Sequence, residues 1–459
     1  MRTIDVLIAE IGSTTTVVNA FNNVNKDPVF LGQGLAPTTV SDGDVTIGLK
    51  DAVKDLESNL GETISWNSML ATSSAAGGLK MTVHGLVYDM TVKAAKEAAL
   101  GAGAVLHMVT AGELNPLDLE RIQKIKPNII LLAGGVDYGD RNTVINNAYK
   151  LADIGIGCPV IYAGNSAAAE DVKEILEKNN IKVTVVDNVY PRIDELNIEP
   201  TRRVIQKVFE DHIIKAPGMD KIREMVTGHI IPTPGAVMNC AKLMKERIGD
   251  LLVIDVGGAT TDVHSVTHGS EEINKLLVSP EPEAKRTVEG DLGIYINAFN
   301  IIKAIGEEKI IEELSKDSKE ILKFISAIPK TVEEKNISEY LANKAAEIGV
   351  DRHAGEIKYL YGPSGRVTIA QGKDLTNVKW IIGTGGALTR LEKGRDVLSG
   401  LLKKNNPMKL FPKEDAKILI DKDYIMAPLG VLCLTNPEGA FRLMAKSLDL
   451  DVDNLGYKE

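Results

Sequence analysis

The chain has 459 residues, of which 44% are hydrophobic and 25% charged, and its net charge is −10. This length favours two or more domains, and the acidic balance disfavours nonspecific binding of nucleic acid or anionic membranes. No apolar run approaches the roughly 20 residues that span a bilayer, the first residues do not read as a signal peptide, and three widely spaced cysteines predict no disulfide framework, so we expect a cytoplasmic protein.

The first element in the chain is a strand predicted over residues 4–12, and a second strand follows over 17–21. An acid, Glu10, stands near the end of the first strand. The connection between the strands contains one glycine and then four hydroxyl side chains, namely Gly12, Ser13, Thr14, Thr15 and Thr16. A two-strand hairpin explains the apolar runs, but it does not by itself explain the hydroxyl cluster.

From about residue 100 to 190, short apolar runs alternate with segments of helical periodicity. This order predicts a parallel sheet with right-handed crossovers, that is, a doubly wound domain. We therefore predict two lobes with a domain inserted between them. The first lobe begins with residues 1–95, the inserted parallel α/β domain follows over 96–192, a helical linker over 193–224, and the second lobe over 225–459.

The stretch "LIAEIGSTTTVVNAF" (7–21) resembles "LVIDVGGATTDVHSV" (252–266). Each has an apolar strand with one acid, a glycine, a Ser/Thr cluster and a second strand; the acids are Glu10 and Asp255. The repeat predicts two similar halves, with the parallel domain inserted in the first.

Glycine turns let a backbone approach phosphate, and exposed amides in such turns bind anions. Hydroxyls of Thr14, Thr15, Thr260 and Thr261 can add hydrogen bonds to phosphate oxygens or metal-bound water, and a strand-end acid can hold hydrated Mg²⁺. Neither turn has the lysine of a P-loop. One such turn alone is more simply an ordinary hairpin, so the prediction depends on the repeat.

A third glycine motif, "IIGTGGALTR" (381–390), follows a predicted strand and contains Gly383, Gly385 and Gly386. It could place a purine against backbone, and a purely structural turn is about equally consistent with it. In "TVEGDLGI", Glu289 and Asp291 flank a glycine as at a helix start. They could orient a catalytic water or merely cap the helix.

These three motifs, in this order, resemble those of the actin-like ATPase superfamily. The resemblance implies an α/β fold of two ribonuclease-H-like domains with an inserted doubly wound parallel α/β domain, binding ATP and Mg²⁺ in a cleft. More narrowly, "PNIILLAGGVDYGDRNT", "IPTPGAVMNCAKLM" and "KRTVEGDLGIYINAF" resemble the MutL/GlmL family. That family is associated with adenosylcobalamin-dependent glutamate mutase and is thought to reactivate it by exchanging damaged cobalamin, as an ATP-dependent chaperone.

The superfamily resemblance also implies residue roles. Asp255 would bind Mg²⁺ through water or position the attacking water, with Glu289 and Asp291 as further catalytic candidates. Glu10 replaces the aspartate of most relatives and is expected to contribute indirectly. The expected nucleotide contacts are Gly12, Ser13, Thr14, Thr15, Gly257, Gly258, Thr260 and Thr261 for phosphate, and Gly383, Gly385 and Gly386 for adenosine. Asp262, the next acid, is at least as easily explained as a residue bonding its own hairpin turn.

Cobalamin binding by the chain itself is not expected. The nearest match to a D-x-H-x-x-G cobalt-ligand motif is "DVHSVT", which lacks the glycine, so His264 is predicted to be a strand side chain. Other functions left open by the sequence are a small-molecule kinase on the same fold, an iron–sulfur ATPase activator of another radical enzyme, and a scaffold with an inactive nucleotide site.

Overall fold

The computed structural model describes residues 1–12, 15–39, 43–74, 79–213, 217–362, 365–403 and 406–451. The chain forms two compact units, the first comprising Met1–Val237 and Gly430–Gly439, the second Met238–Leu429 and Ala440–Glu459. Among the described residues, none of the helices combines the length and apolar character needed to cross a membrane.

The first unit is built on a five-stranded mixed sheet in the order β10-β4-β1-β2-β3. Its strands are β1 (Arg2–Ile11), β2 (Thr15–Asn22), β3 (Val29–Pro37), β4 (Ile64–Ser73) and β10 (Ile230–Pro232). β2 runs antiparallel to β1 and β3, whereas β4 runs parallel to β1 and to β10.

Helix α1 (Val45–Leu60) connects β3 to β4 and covers one face of this sheet. It begins at Asp44, whose side chain accepts from the Thr46 amide at 2.9 Å, and it ends at Gly61 in the left-handed conformation. A methyl group on Gly34 of β3 would come within 2.1 Å of the Ala52 carbonyl oxygen. Glycine at position 34 therefore lets the helix lie directly against the strand backbone.

The second unit repeats this arrangement with the order β13-β12-β11-β16-β17. The strands are β11 (Leu251–Val256), β12 (Thr261–Val266), β13 (Ala284–Glu289), β16 (Trp380–Thr384) and β17 (Lys417–Ile420). The directions match as well, because β12 is antiparallel to β11 and β13, while β16 is parallel to β11 and β17. The predicted α/β fold with two similar halves is confirmed.

The first unit also contains a second, fully parallel sheet in the order β6-β5-β7-β8-β9. Its strands are β5 (Lys80–Gly85), β6 (Val105–Ala111), β7 (Ile129–Leu132), β8 (Val160–Tyr162) and β9 (Val183–Val185). The connecting helices are α2 (Lys93–Gly101), α3 (Pro116–Ile125), α4 (Asn142–Asp153) and α5 (Ala169–Lys178). This confirms the inserted doubly wound layer, but the sheet begins at Lys80 rather than at residue 96.

Helices α6 (Glu199–Ile213) and α7 (Met219–Met225) occupy the segment predicted to be a linker. Ile205, Phe209 and Ile222 of these helices are fully buried in the core of the first unit, so the segment is an integral part of that unit. The boundary between units consequently lies after Val237, and the second unit does not begin at residue 225.

The remaining elements include a long helix and a two-stranded hairpin of the second unit. The helices are α8 (Thr233–Ile248), α9 (Glu271–Asn274), α10 (Ala298–Ile305), α11 (Glu307–Leu314), α12 (Ser318–Leu322), α13 (Val332–His353), α14 (Gly386–Thr389), α15 (Gly394–Leu402), α16 (Met426–Leu432) and α17 (Pro437–Ser447). The hairpin consists of β14 (Glu356–Gly362) and β15 (Gly365–Gln371).

Candidate functional site

The β1–β2 and β11–β12 hairpins are closed by the same backbone hydrogen bond. The Gly12 amide donates to the Thr15 carbonyl at 2.9 Å, and the Gly257 amide donates to the Thr260 carbonyl at 2.9 Å. In each hairpin the acid stands two residues before the glycine. The repeat seen in the sequence therefore extends to the strand pairing and to this closing hydrogen bond. Ser13 and Thr14 lie outside the described residues.

The turn of the second hairpin is held through its carbonyl groups. The Gly257 carbonyl accepts from Ile294 at 3.2 Å, and the Gly258 carbonyl accepts from the next two amides at 2.9 and 2.8 Å. The Asn297 side chain donates to the Ala259 carbonyl at 2.7 Å. The amides of Gly258 and Ala259 donate to none of the described residues, so a fixed turn presents N–H groups suited to an anion.

The threonine hydroxyls of this turn have structural partners. Thr261 is fully buried and donates to the Leu292 carbonyl at 2.7 Å, while the Thr260 hydroxyl donates to an Asp262 carboxylate oxygen at 3.2 Å. The Thr261 hydroxyl proton is thus committed to the protein, contrary to the expectation that it faces phosphate. In the first hairpin, the Thr16 hydroxyl lies 2.9 Å from that of Thr38.

Asp255 lies on the face of the second sheet opposite the α13 core. Its strand neighbours Ile254 and Val256 pack into that core, and alternate residues of a strand point to opposite faces. The partners of Asp255 in register are Asp262 on β12 and Thr384 on β16. Thr384 in turn donates its hydroxyl proton to Asp421 at 3.0 Å.

The three glycines of the third motif lie in three different environments. A methyl group on Gly385 would come within 2.4 Å of Asp255 Oδ1, and Gly385 has a φ of 86°. A methyl group on Gly383 would instead meet core side chains, including Leu398 at 2.7 Å, so Gly383 does not face a ligand. A methyl group on Gly386 would have no neighbouring atom within 4 Å, so it would point into open space. Of the predicted adenosine contacts, Gly385 and Gly386 remain suitable.

Asp262 forms a buried ion pair that the sequence analysis missed. Arg286, from the adjacent strand β13, donates to Asp262 Oδ1 from Nε at 3.0 Å and from Nη2 at 2.8 Å. Both residues are buried. Asp262 is thus bonded to its own hairpin turn, as the structural explanation of this acid predicted, and also to the neighbouring strand. Arg286 lies diagonally across from Asp262, because the register of β12 and β13 places Arg286 opposite His264.

His264, the next residue on this face, is completely buried in β12. Burial lowers its pKa well below the usual value, so the ring is neutral, and neither ring nitrogen has a partner among the described residues. Its location inside β12 agrees with the prediction that it is a strand side chain.

Glu289 and Asp291 do not join Asp255. Glu289 is the last residue of β13, not the start of a helix, and it lies on the α13 side of the sheet, where its Cγ would be 3.8 Å from a methyl group on Gly349. Arg352 in the last turn of α13 donates to Glu289 and also to both carboxylate oxygens of Asp291, at 2.9 and 3.1 Å. The expected catalytic trio is therefore divided between the two faces of the sheet.

The pKa values of Glu289 and Asp291 are shifted in opposite directions. Burial raises the pKa of Glu289, with Arg352 opposing that rise, whereas the hydrogen bonds from Arg352 lower the pKa of Asp291. Asp291 is thus a fixed anion, and Glu289 is an acid whose charge depends on Arg352.

No group of three or more His, Cys, Asp or Glu side chains suited to a metal occurs among the residues that the structure describes. Mg²⁺ commonly needs only one or two carboxylates together with phosphate and water, and Asp255, half-buried beside the glycine turn, matches that requirement.

Next to the third motif the second unit has a cleft of about 390 Å³. Its lining includes Leu388 and Thr389 from the motif, Ile420 from β17, and Lys422. Arg390, the last residue of the motif, places its guanidinium 5.3 Å from the ring centre of Tyr424. The lining also contains Arg395, Glu392 and Asp449, and Lys422 is paired with Asp449, so the cleft has apolar walls and charges of both signs.

Comparison with known proteins gives the family. A model of the family described as MutL protein matches residues 6–448. The chain belongs to the MutL protein family. It is also 37% identical over 459 residues to Protein MutL of Clostridium tetanomorphum, covering 96% of this chain and 98% of that protein. The MutL match spans both hairpins, the inserted sheet and the third glycine motif.

Three solved structures resemble this MutL family member at low similarity. A nucleotide-free acetone carboxylase has 12% identity and a TM-score of 0.40, over 94% of this chain and 70% of that one. The ethanolamine utilization protein EutJ of Carboxydothermus hydrogenoformans has 11% identity and a TM-score of 0.28, over 93% and 88%. A glycerol dehydratase reactivase has 11% identity and a TM-score of 0.30, over 86% and 95%. At this similarity no residue role is transferred from them.

Proposed function

We propose that this protein is an ATP-dependent reactivating chaperone for adenosylcobalamin-dependent glutamate mutase. It would exchange damaged cobalamin for intact cofactor through a nucleotide-driven conformational change. The observation that carries the proposal is the pair of hairpins, each closed at a glycine by the same hydrogen bond and each with an acid near the end of its first strand. Membership of the MutL family supports the choice of partner, through the association of that family with glutamate mutase.

The nucleotide part of the proposal assigns ATP and Mg²⁺ to these turns. The Gly258 and Ala259 amides are assigned to phosphate oxygens. Gly12 of the first hairpin, whose amide makes the same closing hydrogen bond as Gly257, is the other proposed phosphate contact. Gly385 and Gly386 allow the nucleotide to approach the backbone, and the adjacent cleft accommodates the adenosine. When bound, Mg²⁺ supplies positive charge to the phosphates and ordered water around Asp255.

Asp255 is the residue to which we assign water positioning. It is the acid of the second hairpin whose face is shared with the glycine turn and with Gly385. Glu289 and Asp291 fix Arg352 on the other face, so their contribution is to hold β13 and α13 together. Glu10 contributes indirectly, from a buried position.

ATP can drive such a change only if it binds two conformations with different affinity. The proposal therefore predicts that purified inactivated glutamate mutase loses bound hydroxocobalamin when both this protein and ATP are present, and retains it when either is omitted. Asp255→Asn should abolish the ATP dependence. Asp415→Asn, which makes the same chemical change at an exposed position of the second unit, is the matched control and should behave as wild type.

Two results would contradict the proposal. One is release of cobalamin by Asp255→Asn at the wild-type rate. The other is an absence of ATP-dependent release in a preparation that binds ATP, as judged by an ATP-induced rise in melting temperature.

A further inference from the structure

The buried ion pair between Arg286 and Asp262 adjoins the turn of the second hairpin. Nε and Nη2 of Arg286 both donate to Oδ1 of Asp262, while Oδ2 of the same carboxylate accepts from the Thr260 hydroxyl at 3.2 Å. Thr260 is also the residue whose carbonyl closes the turn, because it accepts from the Gly257 amide. A buried cation is thus connected to the candidate phosphate turn through a single carboxylate.

The first hairpin provides an internal comparison, because it lacks this ion pair. Val17 corresponds to Asp262 in the repeat and is buried as well. On the third strand of the sheet, Gln33 occupies the position of Arg286. The strand order, the strand directions and the closing hydrogen bond are nevertheless the same in the two units. A hairpin of this kind therefore forms without a buried ion pair.

Stability is not a sufficient reason for this pair either. Removing two charges from water costs about as much free energy as their attraction returns, so apolar side chains of similar volume commonly stabilise a core equally well. The pair occurs in the hairpin that carries Asp255, the acid assigned to water positioning, and not in the hairpin that carries Glu10. These observations indicate a role in the site rather than in folding.

Through Asp262, Arg286 determines what the Thr260 hydroxyl can bind. A hydroxyl has one proton and two lone pairs. Since the proton is donated to Asp262, Thr260 can only accept a hydrogen bond from a ligand. The phosphate oxygens of ATP are acceptors too, so they are unsuitable partners, whereas a water molecule can donate. This narrows the expectation from the sequence, which allowed either phosphate oxygens or metal-bound water as partners of Thr260.

The charge of Arg286 has a second effect. Asp255 and Asp262 lie directly opposite each other on antiparallel strands, an arrangement in which like charges repel. The guanidinium compensates the charge of Asp262. Arg286 therefore allows two carboxylates to lie side by side next to the turn.

We propose that Arg286 is a positioning residue of the nucleotide site, which holds Asp262 so that the Thr260 hydroxyl accepts a hydrogen bond from a water molecule. Arg286 acts through these two residues and does not itself touch the nucleotide. That the water takes part in ATP hydrolysis, either as the attacking water or as a ligand of Mg²⁺, rests on the proposed function.

The first experiment compares Arg286→Lys with Arg352→Lys in the full-length protein. Lysine keeps the positive charge but lacks the planar fork that holds Asp262. Arg352→Lys makes the same change at an ion pair on the opposite face of the sheet and is the matched control. Arg286→Lys should lower the single-turnover rate at saturating ATP about tenfold, the loss expected for one misplaced hydrogen bond. Arg352→Lys should hydrolyse ATP at the wild-type rate.

Two further comparisons separate positioning from folding. Arg286→Met/Asp262→Val replaces the ion pair by apolar side chains, with the valine that the first hairpin has at this position. It should unfold in urea near the wild-type midpoint, yet hydrolyse ATP as slowly as Thr260→Val. In the Thr260→Val background, Arg286→Lys should cause no further loss of rate, because the hydroxyl that Arg286 positions is absent.

The ATP-induced rise in melting temperature, measured with and without Mg²⁺, identifies the water. If the water is the attacking one, Arg286→Lys keeps the wild-type rise under both conditions. If the water is bound to Mg²⁺, the part of the rise that depends on Mg²⁺ becomes smaller in Arg286→Lys. In Arg352→Lys, the rise caused by ATP should match that of wild type under both conditions.

The outcomes separate this inference from the proposed function. A wild-type rate in Arg286→Lys, or an equal loss of rate with and without the Thr260 hydroxyl, would overturn the role of Arg286 and leave the chaperone function intact. If the variants behave as expected but wild type releases no cobalamin from glutamate mutase, the chaperone function fails and the role of Arg286 stands. A wild-type protein that neither binds nor hydrolyses ATP would overturn both.

Discussion

Asp255, near the end of β11, and Gly385, directly after the parallel strand β16, lie so close together that a methyl group on Gly385 would be 2.4 Å from Asp255 Oδ1. The same methyl group would lie 2.5 Å from the Val256 carbonyl oxygen. Only glycine fits here, and its φ of 86° is also a conformation that other residues adopt at a cost. The acid of the second hairpin and the third glycine motif are thus parts of one local structure.

Gly385→Ala should consequently impair nucleotide binding. The added methyl group displaces Asp255 or the loop, and the left-handed backbone adds a strain of about 1–3 kcal/mol. The measurement is the ATP-induced rise in melting temperature, which should be lost. Gly306→Ala is the control, because Gly306 has a similar φ of 90° but nothing lies within 4 Å of its added methyl group, and it should keep the rise. Equal behaviour of the two variants would contradict this arrangement.

The two strand-end acids should contribute unequally to turnover. We expect Asp255→Asn to lower the rate of ATP hydrolysis roughly 100-fold, because it removes the carboxylate assigned to position water. Glu10→Gln, the same change at the corresponding position of the first hairpin, should have a much smaller effect. Single-turnover hydrolysis of the two variants tests this division, and a greater loss for Glu10→Gln would reverse the assignment.

Arg352→Gln should destabilise the second unit by about 1–2 kcal/mol, because Glu289 and Asp291 lose the cation between them. The estimate is below that for a fully buried pair, since the Arg352 side chain is 41% exposed. Urea unfolding measures the loss. The double variant Arg352→Gln/Glu289→Gln should recover part of it, because no uncompensated charge then remains at Glu289.

The stability lost in Arg352→Gln should increase as the pH rises. Burial already raises the pKa of Glu289 from 4.5, and removal of Arg352 raises it further. For an acid whose pKa is raised on folding, the associated stability is present at low pH and declines as pH rises through the titration. Arg352→Gln should therefore be more destabilising at pH 7 than at pH 4.5. A loss that is independent of pH would show that Glu289 does not titrate as proposed.

His84 in the inserted sheet should make the first unit acid-sensitive. It is fully buried, its two ring nitrogens lie 2.8 and 2.9 Å from the hydroxyls of Thr110 and Thr82, and burial lowers its pKa from 6.5 to about 4. As the pH falls, His84 is therefore protonated in the unfolded chain before it is protonated in the folded protein. The free energy of unfolding consequently decreases as the pH falls below 6.5. The loss is about 2 kcal/mol by pH 5 and about 3 kcal/mol below pH 4.

Amide hydrogen exchange in β5–β7 at pH 7 and pH 5 measures this effect, after correction for the intrinsic exchange rate. His84→Gln should be less stable than wild type at pH 7 but should lose less protection on acidification. An identical pH dependence in the two proteins would exclude His84 as the cause.

The sequence was most informative where one local pattern determines the structure. The hairpins were predicted because strand, glycine and hydroxyl cluster are contiguous and occur twice. The positions of Glu289 and Asp291 were not, because the face on which a strand residue lies changes with a register shift of one residue. Arg352 lies in the last turn of α13, 61 residues after Asp291, and the ion pair of Arg286 with Asp262 exists only across β12 and β13. Neither contact leaves a local signal.

The parallel sheet lies between the fourth and fifth strands of the first unit, β4 and β10, whereas the β14–β15 hairpin lies between the third and fourth strands of the second, β13 and β16. The two copies of the five-strand path therefore carry their insertions at different connections, yet both keep the same strand order and directions. The shared framework consequently accommodates additional structure at either connection without a change in the strands that form the two glycine hairpins.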